Sequence, residues 1–275
     1  ADTTSYARPA VALLDSKASV PGLRTSGSDY VSITGTNFGP AHSSNVINAS
    51  YGNADEAPLL YEVQGCEVIE AHTRMRCPSA EGVGRNHSWR VTVGDQTSAA
   101  SAATTSYALP VVSGLSGAVV MGTRGNETVT ISGSNFGPAT STARAIYQNA
   151  QLRGLAGVAL SALSCAVVEA HVKMVCLSAA GIGHGHRWMV TVGGQQSDWS
   201  AHTTSYARPA GAMLASSDGS ALALKTDGSD FVTITGTNFG PAHDDSNATT
   251  IASAINASYG GLYEVHRGEG LEGRR

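Results

Sequence analysis

With 275 residues, 14% of them charged, 32 glycines and a net charge of −4, the chain has room for two or three domains built from short strands and turns rather than long helices. No Lys/Arg run stands out, which argues against a nucleic-acid binder, and no apolar run approaches the roughly 18 residues of a membrane span. The chain opens on Ala1 without a signal-like segment and reads as a piece of something longer.

Residues 1–8 carry Thr3-Thr4-Ser5-Tyr6-Ala7, a phrase that returns at Thr104–Ala108 and Thr203–Ala207, each time just before a proline. It reads as the last strand of one domain running into the first strand of the next, so 1–8 is expected to be an orphan strand of a preceding unit. The first full unit is placed at 9–107. Its opening strand, Ala10 to Leu14, precedes Val31-Ser32-Ile33-Thr34-Gly35-Thr36-Asn37-Phe38-Gly39-Pro40, a period-two strand that breaks into turn residues around one Phe. Val46–Tyr51 and Leu59–Val63 read as short strands, and Cys66–Cys77 as a hairpin with its cysteines face to face. Trp89-Arg90-Val91-Thr92-Val93 is the clearest alternating strand.

The second unit, 108–206, repeats this order. Val129–Pro138 copies the strand and Phe turn, and Cys165–Cys176 and Trp188–Val192 follow at a constant offset. The third, 207–275, keeps Val232–Pro241 and Ile255-Asn256-Ala257-Ser258-Tyr259-Gly260, then departs; it has no cysteine hairpin and no Trp strand. A sandwich lacking those strands is expected to be unstable alone. Phe38, Phe136, Phe239, Trp89 and Trp188 are the expected core residues.

The four cysteines, Cys66, Cys77, Cys165 and Cys176, fall as one C-x10-C pair per complete unit. That pattern favours disulfides within each unit, with reduced core cysteines as the alternative; a zinc site would need two more ligands. Asn48, Asn86, Asn126, Asn247 and Asn256 head Asn-x-Ser/Thr sequons and are candidate glycosylation sites. Cysteine pairs and sequons together point to an extracellular or cell-surface protein.

Several short alternating strands with one core Trp and one cysteine pair argue for all-β, tandem immunoglobulin-like β-sandwiches, two complete and a third truncated. The ordered set V-x-I-x-G-x-N-F-G-P, C-x10-C, G-x-G and W-x-V-x-V-G resembles the IPT/TIG family, found in plexin-type receptors, fibrocystin-like surface proteins and some transcription factors. The array, cysteines and sequons look more like the extracellular branch. The resemblance implies a scaffold with no catalytic residues.

The sharper readings of single motifs are weak. Glu70-Ala71-His72 and Glu169-Ala170-His171 offer two ligands per unit at an expected hairpin tip, and read as a solvated turn; His184-Gly185-His186 reads as a loop. Trp199 and Tyr147 stand outside the repeated aromatic pattern. No nucleophile elbow, phosphate loop or paired catalytic carboxylates appear, so no catalytic, cofactor or metal residue is assigned and the chain is read as a non-enzyme. The expected role is adhesion, ligand binding or spacing, with an unknown protein or glycan as partner, no nucleic acid, and membrane contact only through parts outside this sequence. Two alternatives stay open: a carbohydrate-binding accessory region of a secreted enzyme, and an intracellular regulatory array of the transcription-factor type.

Overall fold

The computed structural model describes residues 4–16, 22–41, 47–53, 61–149, 159–216, 224, 226, 231–241, 256–259 and 263–266. Every named element in it is a strand, and the fold is an immunoglobulin-like β-sandwich, repeated.

The first sandwich is made of β1 (Ala10–Ser16), β2 (Tyr30–Thr36), β3 (Ile47–Asn53), β4 (Tyr61–Val63), β5 (Glu67–Glu70), β6 (Arg74–Pro78), β7 (His87–Val93), β8 (Gln96–Thr97) and β9 (Thr104–Thr105). One sheet runs β1-β2-β6-β5; the facing sheet runs β4-β3-β7-β8, with β9 also on β7. The second sandwich repeats this with β10 (Val111–Gly117), β11 (Val120–Met121), β12 (Thr128–Ser134), β13 (Ala143–Asn149), β14 (Leu160–Ser161), β15 (Leu163–Glu169), β16 (Lys173–Leu177), β17 (His186–Val192), β18 (Gln195–Gln196) and β19 (Thr203–Tyr206). Its sheets are β10-β12-β16-β15 and β11-β19-β17-β13-β14, with β18 on β17. Beyond it are the pairs β20 (Ala210–Ser216) with β21 (Val232–Thr237), and β22 (Asn256–Tyr259) with β23 (Tyr263–His266).

Alternation decides what each sheet buries. Val31 and Ile33 of β2, Met75 and Cys77 of β6, and Trp89 and Val91 of β7 point into one core. Val129, Ile131, Met174, Cys176, Trp188 and Val190 do the same in the second. Tyr51 lies on Trp89 with ring centroids 4.2 Å apart, and Tyr147 lies on Trp188 at 4.3 Å. Tyr147 is therefore the counterpart of Tyr51 and a core residue, against the sequence expectation that it stood outside the pattern.

The recurring phrase around the Phe turn is steric in origin. Phe38 and Phe136 are fully buried. A Cβ on Gly35 would collide with the Ala10 carbonyl oxygen and with the tip of the Phe38 ring, and Gly133 is held likewise by Val111 and Phe136. Strand one and the Phe ring thus both pass over a position that only glycine can occupy. Asn37 and Asn135 adopt left-handed φ values of 63° and 62°. Their amide nitrogens donate to the carbonyls of Arg8 and Leu109, each at 2.9 Å, pinning the turn to the chain entering the sandwich.

The phrase Thr-Thr-Ser-Tyr is also structural. The indole N–H of Trp89 donates to Thr105 Oγ1 at 2.9 Å, and that of Trp188 to Thr204 Oγ1 at 3.0 Å. This satisfies the one polar atom of each buried Trp.

Candidate functional site

Cys66 and Cys77 form one disulfide and Cys165 and Cys176 another; the first joins the residue just before β5 to β6, the second joins β15 to β16. The Cα–Cα separations are 4.2 and 4.1 Å. Each hairpin tip is then tied to the Phe turn beside it. The His72 amide donates to the Gly39 carbonyl at 2.7 Å and the Phe38 amide to the His72 carbonyl at 3.2 Å. His171, Gly137 and Phe136 repeat both bonds, at 2.7 and 3.1 Å. A histidine with left-handed φ, 66° at His72 and 68° at His171, therefore sits next to a glycine in both units.

In the second unit this pair is the meeting point with the first. His171 Nε2 lies 3.0 Å from Glu81 Oε1, and His171 Nδ1 lies 2.9 Å from Thr25 Oγ1. The carboxylate can only accept, so Nε2 carries the hydrogen in the neutral ring and Nδ1 accepts from the Thr25 hydroxyl. Val83 packs against the second core, wedged where a Cβ on Gly137 or Gly193 would be. Gln195, buried, donates its amide to the Tyr107 carbonyl at 3.0 Å. The sequence expectation of a solvated turn is corrected here: His171 is largely buried by its neighbour, because the preceding sandwich presents a hydroxyl and a carboxylate to its two ring nitrogens.

Behind Val83 lies an aromatic cluster. Tyr51 and Tyr107 share a hydroxyl contact of 2.6 Å; the Ala80 amide donates to Tyr51 Oη at 2.9 Å and Tyr107 Oη donates to the Ala80 carbonyl at 3.0 Å. The bonds close a ring, and Tyr147, Tyr206 and Ala179 form the same one. Burial pushes Tyr51 up to about 12, and burial, then the neighbouring Tyr51, raises Tyr107 further. Burial also raises Tyr147 and Tyr206. His87 and His186 open β7 and β17 as buried residues edge-on to these tyrosines rather than as loop residues. His186 Nε2 donates to the Ile182 carbonyl at 3.1 Å, and burial holds its imidazole below the usual range, so it stays neutral.

The remaining sequence candidates are dispersed. Asn48, Asn86 and Asn126 are exposed. Asn247 lies outside the described residues; Asn256 begins β22, its side chain outside them as well. Trp89 and Trp188 are fully buried. Phe239, expected in a core, is only partly buried; its strand β21 pairs only with β20 among the described residues. Among the described residues, no grouping of three or more His, Cys, Asp or Glu could hold a metal ion, and no helix is long and apolar enough to cross a membrane.

No family model and no curated protein matches the chain. Among solved structures, it is similar to SGBP-B from a complex xyloglucan utilization locus in Bacteroides uniformis, at 16% identity and a TM-score of 0.27, covering 78% of this chain and 58% of that one. It is similar to a protein whose crystal structure holds a xylogluco-oligosaccharide, at 11% and 0.40, covering 85% and 48%. A two-domain fibronectin type-III segment from chicken tenascin matches at 13% and 0.33, covering 70% and 97%. The chain spans about half of the first two proteins. Superposition this loose carries no functional argument, and the fold rests on the strand pairing described above.

Proposed function

We propose that this chain is a run of IPT/TIG-like sandwiches with units at 9–107, 108–206 and 207–275, acting without catalysis outside the cell to space or present binding surfaces. The observation that carries this reading is the junction between the first two sandwiches. A side chain of one unit, Val83, completes the packing of the next, and Gln195 and His171 add three polar contacts across the seam. Such a seam restricts reorientation in a way that a bare linker does not. Two disulfides and no free cysteine among the described residues support an oxidising compartment.

The reading is tested by small-angle X-ray scattering. One conformation with the first two sandwiches in fixed contact should fit the profile, and Val83→Gly with Gln195→Ala should broaden the distance distribution. A native profile that needs freely reorienting units would overturn the spacer role. Ligand binding is screened separately, with an oligosaccharide array.

A further inference from the structure

We infer that the face of the first sandwich carrying Gly39, His72, Gly94 and Gln96 is a docking surface for one more sandwich of the same kind, one that presents a carboxylate at the place of Glu81 and a β-branched side chain at the place of Val83. The inference rests on the tandem-array reading and adds to it a surface and a partner.

The receiving half of the observed junction consists of His171, Gly137, Gly193 and Gln195. Its counterparts in the first unit are His72, Gly39, Gly94 and Gln96, and the local geometry is already the same. His72 and His171 share their φ and the bonds that place each beside its glycine. Gln96 Nε2 donates to the Tyr6 carbonyl at 3.0 Å, as Gln195 does to Tyr107, and also to Ser5 Oγ at 2.7 Å. Tyr6 and Tyr107 hold the same place in the Thr-Thr-Ser-Tyr phrase. The incoming strand is thus seated where a preceding unit would leave it.

What differs is the wedge. A Cβ on Gly39 or Gly94 would meet nothing within 4 Å, whereas Gly137 and Gly193 are filled by Val83. His72 is exposed and its ring has no partner among the described residues, and Tyr6 is 94% exposed where Tyr107 is buried. An open polar cleft of about 480 Å3 lined by Ser5, Tyr6, Arg8, Asp95, Gln96 and Thr97 lies at this end. The wedge itself recurs: a Cβ on Gly240 of the third unit would stand 2.6 Å from Ile182 Cγ2, so Ile182 of the second unit serves the third as Val83 serves the second.

The partner's carboxylate follows from the contact at the observed seam. Glu81 stands opposite His171. His72 is the counterpart of His171 in the first unit, so the group expected opposite it is the one observed opposite His171.

The test duplicates the first unit, joining residues 1–107 to 7–275, with the trailing copy marked by Thr73→Ser so that its His72 peptide is distinguishable by mass. Histidines are then modified with diethyl pyrocarbonate. In the unmodified chain His72 should react several-fold faster than His171. In the duplicated chain the marked His72 should slow to the rate of His171, and Glu81→Ala with Val83→Gly in the leading copy should restore fast reaction. A marked His72 that still reacts fast while His171 stays slow overturns the docking surface and leaves the array reading intact; fast reaction at His171 in the unmodified chain counts against the array itself. A second measurement uses the unmodified protein alone. Gln96→Ala should speed chymotryptic cleavage after Tyr6 several-fold, and an unchanged rate shows that this face does not hold the incoming strand.

Discussion

Val31 and Val232 occupy the same place in the same phrase, as do Ile33 and Ile234, yet the first of each pair is fully buried and the second is 45% and 40% exposed. The strands themselves are equivalent. Both β1–β2 and β20–β21 pair antiparallel with a register shift two residues in, and Gly236 meets the Ala210 carbonyl and the Phe239 ring as Gly35 meets Ala10 and Phe38. What separates them is the Trp strand β7 and the disulfide hairpin β5–β6, present in the first unit and without counterparts among the described residues of the third. Local phrase and local pairing thus build one layer of a sandwich; burial needs the second layer.

The sharpest way to break this comparison is to truncate the Phe in each setting. Phe136→Ala should cost about 3–5 kcal/mol in urea unfolding of the second sandwich, while Phe239→Ala should leave that transition in place. Equal effects would mean that the two layers are not what buries the ring. Replacing Cys165 and Cys176 together by Ser should cost about 2–4 kcal/mol of the same transition, since the cross-link shortens the unfolded ensemble. A loss is also expected at alkaline pH. Unfolded tyrosines ionise near 10, whereas Tyr51 is held up to about 12. The unfolded chain therefore releases protons that the folded one keeps, so stability is complete below about pH 10 and is lost as pH rises toward 12. Tyr51→Phe should flatten that loss in thermal melts, and an unaltered profile would remove Tyr51 from the cause. The smallest effect belongs to deletion of 207–275: both cysteine-containing sandwiches should still melt cooperatively, with a slight loss from uncovering Ile182.

Much of the scaffold was legible in the residues. Strand and Phe turn, the hairpin with facing cysteines, and the inward row of Trp89, Val91 and Val93 all follow from period-two alternation and turn chemistry. Tyr147 was misread because Ile146-Tyr147 does not resemble Ser50-Tyr51 in sequence, although both rings stack on the same Trp. The junction was not legible, because its parts lie far apart in the chain: Thr25 and His171 are separated by 146 positions. His171 gave no sign of its role either, since a tip histidine in one unit is solvated and in the next is not. The one available signal was the β-branched residue shared by Gly82-Val83-Gly84 and Gly181-Ile182-Gly183, an apolar side chain that its own turn leaves exposed.

Val83 has a thermodynamic consequence. It is supplied by one sandwich and packed, partly buried, against the core of the next, so its contribution belongs to neither unit alone. Stability along such an array behaves as a nearest-neighbour sum, in which each added unit brings its own folding free energy and one interfacial coupling. Melting temperature should then climb with the number of units and level off, and unwinding should start from whichever end lacks a neighbour.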